Sequence, residues 1–157
     1  MLDNHMFNQL TKYVEYHLKE SKRKTADKIY ESMESDELMD YVSNRQEPTF
    51  QQLLFQLIDQ KAASDAVIYK KAGIDRRHFS KIRSNPDYKI GKNTAIALCM
   101  ALELSLEEAN KLLQAAGFTL SNSHTSDLVI QFCLQQQIYN LQDVNEALDH
   151  LNAKPIN

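Results

Sequence analysis

Glycine and proline each occur only three times among the 157 residues of this chain, and that scarcity limits how often it can turn. Glycine supplies the left-handed backbone of tight turns, and proline presets the φ angle that begins them. A sandwich of many short strands needs a turn signal roughly every ten residues, which this composition does not supply. The scarcity predicts long helices joined by few connections. A hydrophobic fraction of 43% is enough to build a real core, and the length fits one domain or a domain with an appended subdomain.

The apolar periodicity follows the helical expectation. Residues 3–19 place Met6, Phe7, Leu10, Tyr13, Val14, His17 and Leu18 at spacings of three and four, a continuous stripe on one helix. The polar "SKRKTADK" follows. A weaker pattern through Ile29, Met33, Leu38 and Val42 then reads as two short helices broken near Ser35. "SNRQEP", residues 43–48, closes an N-terminal helical subdomain over 1–47.

The main domain is expected over 48–120. Thr49 and Gln52 form a Thr-x-x-Gln capping box that opens a helix running to about Lys61. A short helix from Ser64 to Ala72 is stopped by Gly73, and Asp75 caps the next one, which reaches Ser84. "TAIALCMALEL", 94–104, is apolar on nearly every face and should be the central buried helix. Ser105 and Glu108 make a second capping box for "LEEANKLLQAAG", which Gly117 terminates. Over 121–157 a C-terminal helical extension carries two more amphipathic helices, near 126–137 and 141–152. Nothing reads as an alternating strand, so the predicted fold class is all-α.

Several functions lack their residues. Cys99 and Cys133 stand alone in apolar runs, which is ordinary buried-thiol usage. The histidines at 5, 17, 78, 124 and 150 show no metal-ligand spacing, so no metal and no cofactor is expected. Ser21 and Lys24 match Ser-x-x-Lys in a polar connector, and three glycines cannot supply a P-loop or a dinucleotide fingerprint. An enzyme is not expected. The opening "MLDNHMFNQL" lacks a signal peptide's basic start and apolar run, and no stretch approaches the ~20 apolar residues of a membrane span. The expectation is a cytoplasmic protein.

Charge is segregated. Residues 60–92 hold nine Lys/Arg against three acids, a local charge of +6, while the remainder sums to −9. Within that segment, "DRRHFSKIRS", 75–84, separates by face at about 100° per residue. Arg76, Arg77, Ser80, Lys81, Arg83 and Ser84 fall within about 160° of arc, and Phe79, Ile82 and His78 occupy the other side. Arginine's planar fork suits a guanine edge and lysine suits a phosphate, so the polar face fits a major groove. A solvated basic surface, or a dock for an acidic protein, would use the same residues.

"SDAVIYKKAGIDRRHFSKIRSN", followed by the buried helix and "LSLEEANKLLQAAG", resembles the helix-turn-helix domain of the Cro/CI repressor-like (XRE-type) superfamily. Through "FSKIRSN" and "LLQAAGFTLS" it is similar to the variant helix-turn-helix domains at the C-termini of assorted bacterial proteins. The resemblance covers about residues 49–117. It implies a five-helix fold, with the turn at Ala72-Gly73-Ile74, a scanning helix over 64–71 and a recognition helix over 75–84. It further implies a transcriptional regulator that binds double-stranded DNA, commonly as a homodimer on two half-sites. Arg76, Arg77, Ser80 and Lys81 would face bases or adjacent phosphates. Lys70, Lys71, Arg83, Ser84, Lys89 and Lys92 would neutralise or contact flanking phosphates.

Three positions depart from that pattern. Asp65 stands where a phosphate-clamping glutamine often opens the scanning helix. Tyr69 replaces the small residue that lets the two helices cross closely. Asn85 follows the recognition helix where glycine is usual, and Asn tolerates the left-handed conformation. These departures, with the acidic flanks, leave an alternative: a protein-interaction module, antitoxin-like or inhibitory, that keeps the fold without reading DNA. The C-terminal apolar residues Leu128, Val129, Phe132, Cys133, Ile138, Leu141, Val144, Leu148 and Leu151 either complete the core or pair with a second copy.

Overall fold

The computed structural model describes residues 4–16 and 36–156, and every regular element among them is an α-helix. The chain divides into two compact units, Met1–Gln46 and Glu47–Asn157, at the "SNRQEP" segment.

In the first unit, residues 4–16 form α1 and Glu37–Arg45 form α2. The α1 stripe is exposed at Met6, Phe7, Leu10, Tyr13 and Val14, and no residue of α2 is buried. The Arg45 guanidinium lies 4.3 Å above the Tyr41 ring. His17, Leu18, the "SKRKTADK" connector with Ser21 and Lys24, Ile29, Met33 and the break near Ser35 lie outside the described residues.

The second unit contains α3 (Phe50–Gln60), α4 (Asp65–Lys71), α5 (Arg76–Ser84), α6 (Lys92–Ala101), α7 (Leu106–Ala115), α8 (Thr125–Gln135) and α9 (Leu141–His150). Both capping boxes form: Thr49 with Gln52 at α3, and Ser105 with Glu108 at α7. The Ser105 backbone N–H, donating to Glu108, holds that carboxyl below its ordinary range. Ala95 to Ala101 of α6 are all buried, as a helix apolar all round must be. Against α6 pack α4 and α7, while α3 lies on α7, α5 on α4, α8 on α7 and α9 on α8. One apolar cluster runs from Phe50 through Leu54, Phe79, Leu98 and Leu112 to Cys133, Leu148 and Ile156.

The helices are short, between 7 and 11 residues in this unit, and not long as glycine scarcity suggested. The reason is a shared C-terminal device. After α3, α4, α6, α7, α8 and α9 one residue turns left-handed, and its own amide and that of the next residue bond back to the last helical turn. At α4 the left-handed residue is Gly73 (φ 67°), and the Ile74 N–H reaches the Tyr69 carbonyl at 2.9 Å. Gly117 serves α7, but Ala62, Glu103, Gln137 and Asn152 do the same work at α3, α6, α8 and α9. In each case the residue after the left-handed position is apolar, and its N–H donates to the carbonyl of an apolar residue five earlier: Ala63 to Ile58, Leu104 to Cys99, Ile138 to Cys133. Leu104 is buried, and Ala63, Ile138 and Ala153 are partly buried against the core.

Among the described residues, no helix is long and apolar enough to cross a membrane.

Candidate nucleic-acid interface

The basic face is built by α5 and set by its first residues. Asp75 has extended backbone, and its carboxylate accepts the His78 N–H at 2.6 Å, fixing where the helix begins. Phe79 and Ile82 are buried and hold the helix down, while His78 is half-buried with its ring edge-on to Tyr88 at 5.8 Å. That leaves Arg76, Arg77, Ser80, Lys81, Arg83 and Ser84 exposed. The Ser84 hydroxyl donates to the Ser80 carbonyl at 2.8 Å. Arg76 and Arg77 occupy the first turn, beyond the Gly73 turn from α4.

Arg83 is the exception on this face. Its Nε and Nη2 lie 2.8 and 2.7 Å from Oδ2 of Asp65, at the start of α4, and its guanidinium sits 4.6 Å over the Phe55 ring. The carboxylate that a phosphate would meet at position 65 is therefore already matched by a cation. Gln51 reinforces the same end of α5. Its side-chain amide donates to the carbonyls of Ile82, at 3.1 Å, and Arg83.

Tyr69 lies where α4 meets α5. Its ring packs 5.6 Å from Phe79, which meets Phe55 edge-on at 5.9 Å, so the small residue of the resemblance is replaced by an aromatic cluster. Asn85 is extended (φ −120°), not left-handed. Its side chain accepts the Asp87 N–H at 3.0 Å, and no glycine is needed there.

The remaining lysines are dispersed. Lys70 is exposed at the end of α4. Lys71 lines a crevice of about 220 Å³ with Met100, Glu103 and Tyr139, and Lys89 lines a cleft with Phe50, Tyr88 and Phe118. Lys92 has a partner of its own. Its Nζ is 2.7 Å from Oδ2 of Asp127, a carboxylate only 4% exposed that also accepts the Ser121 N–H at 2.8 Å. A buried carboxylate needs that cation, so Lys92 ties α6 to α8.

Among the described residues, no group of three or more His, Cys, Asp or Glu side chains is placed to hold a metal ion. Cys99 and Cys133 are buried free thiols, and burial pushes Cys99 up to about 12 and Cys133 upward as well.

Sequence reasoning missed Gln51, Phe55 and Asp127 as determinants of the site. Each acts across 28 or more residues: Gln51 on Ile82, Phe55 on Arg83 and Asp127 on Lys92. No local spacing signals such pairs. No family model matches the chain, and no curated protein or solved structure matches it.

Proposed function

We propose that α3–α7 form a repressor-like helix-turn-helix domain and that the protein binds duplex DNA as a transcriptional regulator. In this reading α4 is the scanning helix and α5 enters the major groove. The observation that carries it is the α5 face. Arg76, Arg77, Ser80, Lys81 and Ser84 are exposed together on a helix whose opposite side is anchored by Phe79 and Ile82. Two arginines in the first turn suit base edges, and the Ser and Lys behind them suit the sugar-phosphate backbone.

Fluorescence anisotropy with duplex DNA across a salt series tests this. About four phosphate contacts give a log–log salt slope near −3.6, and Arg76→Ala/Arg77→Ala should abolish specific binding while the protein stays folded. Weak binding that is flat in salt would overturn the proposal.

The Asp65–Arg83 pair and the engagement of Lys92 favour a second reading, an interaction module that keeps the scaffold for an acidic protein partner. That reading gains if the folded protein ignores duplex DNA yet co-purifies with one protein after nuclease treatment.

A further inference from the structure

A second surface, sharing no helix with the basic face, lies between α8 and α9. Leu128 and Phe132 of α8 and Leu151 after α9 are 45%, 54% and 55% exposed, and they flank a trough of about 460 Å³ floored by Val129 and Ala147. Its lining is almost wholly apolar. Only Thr125 and His150 bring polar atoms, too few to orient a polar small molecule. Three large apolar side chains around one trough exceed the scattered exposure normal for a surface and mark a contact site.

Charge selects the occupant. From Leu128 to Asn140 the chain has no charged residue, so the α8 wall is neutral; charge depletion of this kind is typical of the core of a protein interface. The α9 wall itself is Ala147, His150 and Leu151, and its rim toward the start of the helix is acidic. Asp143 and Glu146, one turn before Ala147 and His150, are exposed, and among the described residues neither carboxylate is in an ion pair. Across 121–157 the acids are Asp127, Asp143, Glu146 and Asp149 against the single base Lys154, and Asp127 is already matched by Lys92. A second copy meeting this face would bring its own α9 acids toward these. A helix with apolar anchors and lysine or arginine on one flank would satisfy both walls.

We propose that the α8/α9 trough docks an amphipathic helix of another protein, with apolar side chains at i, i+3, i+4 and i+7 in the trough and basic side chains along α9. This inference is independent of DNA binding by α5. The protein then presents two faces of opposite preference, one for polyanions and one for a basic helix.

Two designed helical peptides with the same Leu/Phe stripe, one flanked by lysines and one by glutamates, are the probes. They are titrated into the full chain by fluorescence anisotropy without DNA. The lysine peptide should bind at least tenfold more tightly, and added salt should narrow the gap. Phe132→Ser and, separately, Leu151→Ser should each abolish binding with an unchanged melting curve, since both side chains are largely exposed. Asp143→Asn/Glu146→Gln should erase the preference for the lysine peptide. Equal affinity for both peptides, or no binding of the lysine peptide, overturns the proposal. Sedimentation showing a dimer that Phe132→Ser dissociates would also overturn it, by assigning the trough to a second copy.

Discussion

Arg83 and Asp65 meet at the point where α4 and α5 are closest to sharing a task. Arg83 is exposed and Asp65 partly so, and pairs this close to solvent contribute about 0–1 kcal/mol to stability. Its larger consequence is electrostatic. While Asp65 holds Arg83, a phosphate arriving at the start of α4 meets a neutral pair; without Asp65 it meets a free arginine. Asp65→Asn should therefore tighten duplex binding and steepen the log–log salt slope by about 0.9, one added phosphate contact, with stability changed by less than ~1 kcal/mol. Parallel salt series for the two proteins check this. An unchanged slope would mean that Arg83 reaches no phosphate even when released. Pairs of this kind separate what the sequence made legible from what it hid. The caps at Thr49, Asp75 and Ser105 were readable because each acts on the amide three residues away. Asp65 was readable only as a carboxylate in an awkward place. Its partner lies 18 residues on, and that of Asp127 lies 35 residues back, at distances where spacing carries no signal.

At the scale of elements, the unexpected feature is that four helices stop on a left-handed residue other than glycine. A side chain in the left-handed region is strained by about 1 kcal/mol, and Asn tolerates it better than Ala, Glu or Gln. Ala62 (φ 51°), Glu103 (φ 52°) and Gln137 (φ 59°) are thus the sites where glycine should help. Ala62→Gly, Glu103→Gly and Gln137→Gly are each expected to raise stability by about 0.5–1 kcal/mol in urea unfolding, with unchanged m-values. Asn152→Gly should gain less. A loss at Ala62 or Gln137 would show that side-chain contacts there outweigh the backbone strain. Helix positions were legible because apolar periodicity and N-caps are local. The helix bounds were legible as well, but what stops α3, α6, α8 and α9 was not, because no glycine marks those ends. What those ends share is an apolar pair five residues apart, such as Cys99 with Leu104 or Cys133 with Ile138, joined by a bond from the later residue's N–H to the earlier one's carbonyl.

For the second unit as a whole, the question is whether α8 and α9 are an appendage or part of one cooperative body. The apolar cluster passes without interruption from Leu112 and Leu113 of α7 into Val129, Ile130 and Cys133 of α8. Two polar ties cross the same boundary: Lys92 to Asp127, and the Tyr139 hydroxyl donating to the Leu104 carbonyl at 3.1 Å. Opening the α8–α9 pair alone would leave Lys92 without its counter-ion and uncover the α7 face, so local opening should cost nearly as much as global unfolding. The two thiols report on this directly, Cys99 from the centre of α6 and Cys133 from α8. Both are fully buried and held protonated, so neither should react with a thiol reagent at pH 8 while the protein is folded. In a urea series, with labelling at each cysteine resolved by mass spectrometry, the two should become reactive at the same midpoint, coincident with loss of helical circular dichroism. Earlier labelling of Cys133, with a shallower urea dependence, would mean that the C-terminal pair opens as its own unit. The trough between α8 and α9 would then be a surface that forms and dissolves apart from the basic helix, and the two faces of the molecule would be only loosely coupled.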